Sequence, residues 1–197
     1  MTLALSELDW PLRIERLELR PARAQDADGV WPWYRLPEVQ EWTTTLSPTL
    51  AAHRERWESR LGSAVVGLHE GAVVAVGKVE RQDACSQTDM RDRAAGQQAE
   101  LGWVLDPSAQ GKGLGTEFAA ALLRIAFDGL GVRRVEAACF AENLASRRVM
   151  EKIGLRLEGV FREETLHRSG RWLDGMQYAL LASEHVRRSD AARILET

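Results

Sequence analysis

The chain has 197 residues, of which 45% are hydrophobic and 28% are charged, as in ordinary soluble globular proteins. This length predicts one domain, residues 1–197, with a single core. A formal net charge of −3 argues against general nucleic-acid binding, because nucleic-acid binders usually carry a basic excess. No apolar run is long enough to cross a bilayer, and the N-terminus has no signal-peptide pattern.

The N-terminal region predicts one strand followed by helical and aromatic segments. Residues 12–20 alternate between apolar and charged side chains, which predicts a single strand with one buried face. Residues 21–35 predict a turn and a short helix, and residues 37–48 predict an irregular segment rich in tryptophan and threonine. This region therefore adds little regular structure to the predicted sheet beyond its first strand.

A helix and a hairpin are predicted next. Ser47 as the N-cap, with Pro48 at the first helical position, predicts a helix that ends at about Arg60. Residues 63–68 and 72–79 predict a hairpin around a Glu-Gly turn. Residues 83–97 are polar and lack periodicity, which predicts a mobile loop between two strands.

The remaining elements alternate between strands and helices. Gly131 predicts the end of an amphipathic helix, and Asn143 predicts the N-cap of a second helix that stops at Gly154. The predicted ranges are strands at 99–105, 135–139, 155–165 and 171–183, helices at 113–130 and 143–154, and a charged tail. Strands interleaved with helices, joined partly by hairpins, predict an α/β fold with a mixed sheet.

A glycine-rich stretch separates the strand at 99–105 from the helix after it. Residues 110–115 read Gln-Gly-Lys-Gly-Leu-Gly. Glycine lets the backbone approach a ligand closely, and the free N–H groups at a helix N-terminus bind phosphate. The stretch therefore predicts an anion site, with a diphosphate as its ligand. A glycine-rich turn before an ordinary helix is the alternative.

Two common phosphate motifs do not match this stretch. A P-loop requires Gly-Lys-Ser/Thr, whereas Lys112 is followed by Gly113. A dinucleotide fingerprint requires G-x-G-x-x-G, and the spacing here is G-x-G-x-G. A nucleotide-binding enzyme such as a kinase stays open as an alternative interpretation.

The same stretch resembles a known family signature. Residues 105–115 are similar to the acetyl-CoA signature of the GCN5-related N-acetyltransferases (GNAT), whose core is R/Q-x-x-G-x-G/A. Residues 143–146, followed by residues 151–155, resemble the second motif of that superfamily. Residues 170–174 and 178–181 are similar to the branch that acetylates ribosomal-protein N-termini. The resemblance covers residues 12–183 and leaves a short N-terminal extension and the charged tail.

The resemblance implies a fold and a cofactor site. The fold would be a mixed, mostly antiparallel sheet with splayed central strands and helices on both faces. The cofactor would be acetyl-CoA, with the glycine loop holding its diphosphate and a strand edge pairing with its pantetheine arm. Lys112 would add charge there, or would be simply a solvated loop lysine. The implied cofactor-binding residues are Val104, Leu105, Gln110, Gly111, Lys112, Gly113, Leu114, Gly115, Thr116 and Asn143.

Two residues are candidates for the chemistry. Glu100 lies in an otherwise apolar strand, and related enzymes carry a glutamate there that acts on the amine through water. A solvent-facing side chain on an alternating strand is the alternative for Glu100. Ser146 would hydrogen-bond the departing thiolate or protonate it through water, in place of the tyrosine that many family members use. A solvated helix serine is the alternative for Ser146.

The resemblance also implies a region for the acceptor amine. Trp31, Tyr34 and Trp42 lie between the first strand and the hairpin, in the segment that closes over the substrate in relatives. Packing of helices onto the sheet is the alternative, and we favour it for Trp33 and Trp57.

The acceptor itself is open. An α-amine of pKa near 7.7–8.0 loses its proton at pH 7 for about 1 kcal/mol, whereas a lysine-like amine requires about 4–5 kcal/mol. A protein N-terminal α-amine is therefore the favoured acceptor. A polyamine or an aminoglycoside is the alternative, as is a protein that binds an acyl-CoA without transferring the acyl group.

The sequence also predicts what the protein lacks. The two cysteines, Cys85 and Cys139, form no disulfide framework, and we expect free thiols in a reducing cytoplasm and no covalent enzyme intermediate. The four histidines form no metal or triad pattern, so no metal is expected. We expect no nucleic-acid or membrane partner. Because relatives often dimerise, a homodimer is an open alternative.

Overall fold

A computed structural model describes residues 4–185 of the chain. Within these residues, eight strands form one sheet in the order β1-β2-β3-β4-β5-β6-β8-β7. All neighbours are antiparallel except β5 and β6, which are parallel. The strands are β1 Leu12–Arg13, β2 Glu18–Pro21, β3 Ala64–His69, β4 Ala72–Gln82, β5 Gln98–Leu105, β6 Arg134–Phe140, β7 Arg156–Leu166 and β8 Trp172–Leu181.

Helices cover both faces of this sheet. The helices are α1 Asp26–Tyr34, α2 Pro37–Gln40, α3 Leu50–Glu58, α4 Arg91–Ala94, α5 Leu114–Arg124 and α6 Leu144–Lys152. Helices α1, α2 and α3 pack on one face, which we call the α1–α3 face, and α5 packs on the other, the α5 face. The predicted α/β fold with a mixed, mostly antiparallel sheet flanked on both faces is confirmed.

Helix α5 lies close to the centre of the sheet. Its predicted apolar stripe is buried, with Phe118 and Leu122 fully covered. A Cβ on Gly77 of β4 would lie 2.6 Å from the Leu122 Cδ1 atom, so only glycine allows this approach. A π-helical turn, Ile125–Gly129, extends α5, and Gly131 follows with φ of 66°. The predicted helix over 113–130 and its glycine stop are confirmed.

The hairpin predicted at 63–79 is also confirmed, as β3 and β4. Glu70 and Gly71 join the two strands with φ of 51° and 81°, the positive values that a tight hairpin turn needs. Strand β4 continues to Gln82, three residues beyond the predicted end, because it pairs with β5 along its whole second half.

Three predictions for the N-terminal region are wrong in detail. Residues 12–20 form two short antiparallel strands, β1 and β2, because a turn at residues 14–17 interrupts the alternating pattern. The N-cap of α3 is Thr49, not Ser47, since the Thr49 side chain accepts a hydrogen bond from Ala52 N. The segment 37–48 is not wholly irregular, because it begins with α2.

The polar segment 83–97 contains a 3₁₀ turn, Thr88–Met90, and α4. Both of its ends are held together, since Asp83 Oδ1 accepts from Gly96 N at 2.8 Å and Ala84 N donates to Ala94 O at 2.9 Å. Its mobility stays a prediction. The predicted charged tail falls mostly on residues 186–197, outside the described residues. None of the helices within residues 4–185 combines the length and the apolar character that a membrane crossing requires.

Candidate active site

The two parallel strands at the centre of the sheet separate. Residues 98–100 of β5 pair with residues 134–136 of β6, and the pairing stops there. Residues 101–105 continue along β4 alone, and residues 137–140 continue along β8 alone. The result is a V-shaped gap, with Glu100 of β5 and Glu136 of β6 as the last pair at its vertex. The splayed central strands that the family resemblance implied are confirmed.

The glycine loop lies where β5 ends and α5 begins. Gly111 and Gly113 have φ of 70° and 82°, in the left-handed region that favours glycine. Within residues 4–185, the N–H groups of residues 111–115 donate to no backbone carbonyl. Five consecutive N–H groups therefore lie unpaired at the positive end of the α5 dipole, an arrangement that suits an anion.

Arg16, in the turn between β1 and β2, holds this loop from behind. Its Nη1 donates to Lys112 O at 2.8 Å, and its Nε donates to Glu117 Oε2 at 2.8 Å. The backbone N–H of Arg16 donates to the other carboxylate oxygen of Glu117 at 2.7 Å. Because a trans peptide points its C=O and N–H in opposite directions, the bond to Lys112 O turns the N–H of Gly113 away from Arg16. No sequence motif marks this arginine, because it meets the loop from a segment about 100 positions away.

The other predicted cofactor residues surround the loop. The Gln110 side chain turns back toward Leu105 O, at 3.4 Å from its Nε2. Lys112 is exposed, whereas the Leu114 side chain is buried in the core and leaves only its backbone to the loop. Val104 and Leu105 pair with β4 through one edge of β5, and their other edge borders the gap. Thr116 is half-buried in the first turn of α5.

Helix α6 borders the gap on the β6 side. The Asn143 side chain accepts a hydrogen bond from Ser146 N at 3.0 Å, which confirms Asn143 as the N-cap of α6. The Ser146 side chain lies close to the Cys139 thiol of β6. Burial raises the pKa of Cys139 to about 11, and the Ser146 side chain and the nearby Arg147 charge offset only part of this rise. Cys139 is therefore a neutral thiol at physiological pH.

A tyrosine of β8 contacts helix α6 close to the gap. Tyr178 is buried, and its hydroxyl donates to Glu151 Oε1 of α6 at 3.2 Å. Burial raises the pKa of Tyr178, although the hydrogen bond with Arg147 opposes the rise. Tyr178 lies opposite Ala137 of β6, next to the strand segment that lines the gap. Tyr178 is the first residue of the stretch 178–181, which carries part of the family resemblance.

Glu100 is engaged by two neighbours on β4. Lys78 Nζ lies 2.7 Å from Glu100 Oε1, and Gln82 Nε2 donates to Glu100 Oε2 at 3.3 Å. Lys78 also contacts Glu80, the direct cross-strand neighbour of Glu100. Glu136 occupies the corresponding position on β6. The lysine and the second glutamate were not predicted, since only strand register brings them beside Glu100.

Glu100 and Ser146 lie on opposite faces of the sheet. Ala99 and Leu101, which flank Glu100, belong to the core under α5, so the Glu100 side chain points to the α1–α3 face. Cys139 packs against the core on the α5 face, where Ser146 meets it. A group held in the gap between β5 and β6 therefore has a carboxylate on one side and a hydroxyl on the other.

The predicted acceptor residues separate into two groups. Trp42 packs on Phe140, at the end of β6, with ring centroids 6.0 Å apart. His167 and Arg168, after β7, hold the Trp42 segment, since His167 Nε2 lies 2.8 Å from Glu41 O and Arg168 Nη2 donates to Thr43 O at 2.6 Å.

Trp31 and Tyr34 lie elsewhere, around His53 of α3, with ring centroids 5.0 and 5.1 Å from its ring. Trp33 and Trp57 are buried in the core on the α1–α3 face, as we favoured. Across the part of the chain that the structure describes, no group of three or more His, Cys, Asp or Glu side chains is arranged to hold a metal ion.

Comparison with known proteins identifies the class that this fold and gap define. Residues 16–156 match the family model described as an acetyltransferase (GNAT) domain, which is more than half of the 197 residues. The chain therefore belongs to the GNAT acetyltransferase family.

Individual relatives agree with this assignment. The uncharacterized N-acetyltransferase YnaD of Bacillus subtilis is 41% identical over 85 residues, which are 43% of this chain and 49% of YnaD. The chain thus spans about half the length of this curated relative. A GNAT-family acetyltransferase structure from Bacillus anthracis superposes with a TM-score of 0.73 at 27% identity, covering 87% of this chain and 98% of the other.

A third similarity shows the shared fold. RimL, described as a ribosomal L7/L12 alpha-N-protein acetyltransferase in complex with coenzyme A, superposes with a TM-score of 0.70. The identity is 20%, and the match covers 84% of this chain and 94% of RimL.

Proposed function

We propose that the chain transfers an acetyl group from acetyl-CoA directly to a primary amine. The observation that carries this proposal is the gap between β5 and β6 with five unpaired N–H groups at its mouth, counted within residues 4–185. The N–H groups suit the diphosphate of coenzyme A, and the open edge of β5 at Val104 and Leu105 suits the amides of its pantetheine arm. ATP has the phosphates but no arm that would pair with a strand edge.

The α1–α3 face is the side from which the amine would approach. Amine attack on the thioester requires a neutral nitrogen, so a proton must leave the ammonium form. Glu100 lies on this face at the vertex of the gap, with Lys78 and Gln82 on its two oxygens. We therefore propose that Glu100 accepts the proton through a water molecule that joins or replaces one of these partners.

The α5 face is the side on which the thiolate would leave. Ser146 lies there, with its backbone N–H held by Asn143 and its side chain against Cys139. A hydroxyl at this position donates a hydrogen bond to the developing thiolate, or passes it a proton from water. Base and acid on opposite faces of the sheet keep the proton acceptor for the amine separate from the proton donor for the departing thiolate.

A protein N-terminal α-amine is the acceptor that we favour. Deprotonation at pH 7 costs an α-amine about 1 kcal/mol and a lysine-like amine about 4–5 kcal/mol, which suits one water-relayed carboxylate. RimL, which shares the fold, is described as an alpha-N-protein acetyltransferase. A small polyamine or aminoglycoside is the competing acceptor.

An acetyl-transfer screen tests this proposal. Purified protein is incubated with acetyl-CoA and a panel of N-terminal peptides and small amines, and mass spectrometry identifies the acetylated nitrogen. We expect saturable transfer to a peptide α-amine, and a calorimetric preference for acetyl-CoA over ATP. Preferred binding of ATP would contradict acetyl-CoA as the cofactor. Transfer to small amines alone would contradict a protein N-terminus as the acceptor.

The contacts of Glu100 favour one further candidate, an acyl-CoA-binding protein without transfer activity. Both Glu100 oxygens are engaged, and a carboxylate fixed in this way by Lys78 and Gln82 has a structural role. Tight acetyl-CoA binding without turnover on any amine of the panel would identify this case.

A further inference from the structure

A small cavity lies on the α1–α3 face, beside the strand that borders the gap. Its volume is about 20 Å³, and its walls come from α1, α3, β3 and β4 and from the turn after α3. The lining residues are Tyr34, His53, Arg56, Trp57, Arg60, Ala64, Val76 and Gly77. Three of these carry basic nitrogens, and no acidic side chain is among the described residues that line the cavity.

His53 is the most enclosed polar side chain of this cavity. It is 3% exposed, and neither ring nitrogen makes a hydrogen bond of normal geometry, although the Ala27 backbone lies nearby. Burial lowers the pKa of His53, and the charge of Arg56 lowers it further. A neutral His53 offers one N–H donor and one acceptor nitrogen, and neither has a hydrogen-bond partner of normal geometry within residues 4–185.

Arg56 adds a second unpartnered donor. Its Nε is buried without a hydrogen-bond partner, and no ion pair of Arg56 exists among residues 4–185. Burial lowers the pKa of Arg56, and the neighbouring charge of Arg60 lowers it further. The two arginines are four positions apart and repel each other, and no carboxylate is among the described residues that line the cavity; its side-chain acceptors are the Tyr34 hydroxyl and one ring nitrogen of neutral His53. Buried donors of this kind are rare in folded proteins, because each costs free energy.

These donors belong to a wider pattern. Six buried side-chain atoms of the described chain lack a hydrogen-bond partner, and all six are nitrogens. Five of them belong to residues 33–56, on the α1–α3 face, from which the amine would approach. This face therefore has unpartnered buried donors, for which an oxygen-rich ligand would supply acceptors.

We propose that this cavity binds a carboxylate of the acceptor substrate, with Arg56 and Arg60 as its anchors. The inference rests on the proposed acetyl transfer and names the class of its acceptor, an amine that also carries an acidic group. Arginine binds carboxylates through paired, parallel hydrogen bonds, and its planar guanidinium matches the flat carboxylate group.

The register of the sheet sets the spacing between the carboxylate and the amine. Val76, in the cavity wall, pairs with Val104, four residues along β5 from Glu100 at the vertex. Four residues of strand span about 13 Å. An extended peptide covers the same span with about four residues, so an acidic side chain near the third to fifth position reaches the cavity.

A matched set of peptides tests this proposal. One glutamate is moved from the second to the fifth position of a peptide with a free α-amine, and each peptide has a glutamine counterpart. We expect kcat/KM to be at least about tenfold higher for the best glutamate peptide than for its glutamine counterpart, through KM. Arg56→Gln and Arg60→Gln are expected to bring this ratio close to one.

Arg54→Gln is the matched control. Arg54 is on the same helix but is exposed and paired with Asp28, outside the cavity, so the glutamate preference should persist. Thermal unfolding of each variant checks that the fold is retained. Equal kcat/KM for every glutamate and glutamine pair, in a protein that acetylates peptides, would overturn the inference and leave the proposed function intact.

An N-acetylated form of the best glutamate peptide separates binding from transfer. It accepts no acetyl group at its terminus, and its binding is followed by tryptophan fluorescence, because Trp57 lines the cavity. We expect binding to the wild type that weakens by about tenfold or more in Arg56→Gln. Such binding without turnover on any amine would support the cavity and contradict acetyl transfer. Equal binding of the glutamine counterpart would contradict the carboxylate site.

Discussion

The two faces of the sheet are built in different ways. On the α5 face, the glycine loop and the N-terminus of α6 present backbone groups whose positions follow from contiguous sequence, residues 110–116 and 143–146. On the α1–α3 face, short helices are held by side-chain contacts between distant segments, such as Trp57 Nε1 with Arg23 O at 2.9 Å. The groups that would hold the cofactor are thus local in sequence, with Arg16 as a distant support, and the face that would meet the acceptor is assembled from separate segments.

This difference has a functional meaning under the proposed activity. A common cofactor needs the same backbone N–H groups in every relative, and a short glycine motif supplies them. An acceptor that varies between proteins needs side chains that can change one by one, and loops and short helices supply those. Variants on the two faces should therefore separate cofactor binding from acceptor binding.

The largest effect is expected at the vertex, where both faces meet. Glu100→Gln should lower kcat by about a hundredfold or more, since general base catalysis is worth about 10²–10⁴. The measurement is the steady-state rate with the best acceptor of the screen. Glu80→Gln is the control, because Glu80 also contacts Lys78 but lies on β4, away from the gap. Equal rates for Glu100→Gln and Glu80→Gln would remove Glu100 as the base.

A large loss of stability is expected on the α1–α3 face. Asp26 at the start of α1 is buried, and two nitrogens of Arg20 donate to its two oxygens at 2.7 Å each. Asp26→Ala should cost about 3–5 kcal/mol of the free energy of unfolding, because it leaves the largely covered charge of Arg20 without its carboxylate partner. Asp28→Ala, in an exposed pair with Arg54, should change little. Denaturant unfolding of both variants makes the comparison.

The same pair predicts how stability depends on pH. Burial alone would raise the pKa of Asp26, but the bonds from Arg20 and from Arg23 N outweigh it and hold that pKa below its ordinary value. The contribution of this pair to the free energy of unfolding is therefore complete above about pH 4, the pKa of aspartate in the unfolded chain. It is lost as pH falls through the lower pKa of Asp26 in the folded protein. In a plot of the free energy of unfolding against pH, Asp26→Asn should reduce the fall on the acid side. An unchanged fall would contradict this account of the pair.

A moderate effect on cofactor binding is expected in the glycine loop. Gly113→Ala places a Cβ at φ of 82°, 3.3 Å from Arg16 Nη2, and should raise the KM for acetyl-CoA by about tenfold. Gly131→Ala strains the backbone similarly at φ of 66°, beyond the far end of α5, with open space around its Cβ. Both variants should lose about 1 kcal/mol of stability, and only the first should change KM. If both variants raise the KM for acetyl-CoA, the substitution at Gly113 acts by disturbing helix α5 and not by changing the loop itself.

The smallest effect concerns thiol labelling. With a pKa of about 11, Cys139 should be about one part in a thousand thiolate at pH 8. Cys85 is exposed in the polar segment after β4, so iodoacetamide should modify it first. Peptide mass spectrometry over a time course gives the order. Faster labelling of Cys139 would contradict a neutral, half-buried thiol.

Sequence predicted the features that depend on neighbouring residues. The hairpin at Glu70 and Gly71, the cap at Asn143 and the glycine loop each depend on a few consecutive residues with distinctive backbone preferences. The cap of α3 was misplaced because Ser47 and Thr49 are both good N-caps, and the choice between them depends on what each one packs against.

Other features depend on register and on contacts between distant segments. Arg16 and Glu117 are separated by 101 positions, and His167 and Glu41 by 126. Lys78 meets Glu100 only because β4 and β5 pair in one register out of several that their patterns allow. The unpartnered nitrogens around His53 could not be predicted from the sequence either, since the partners of a buried nitrogen are set by the tertiary structure.

The separation of β5 and β6 has a consequence for isotope exchange. Central strands are ordinarily the slowest part of a sheet to exchange amide hydrogens for deuterium. Here every second amide along residues 101–105 faces the gap and has no neighbouring strand there. The middle of this sheet should therefore exchange quickly on that edge in the unliganded protein, and a ligand that fills the gap should slow it to the rate of the strands around it.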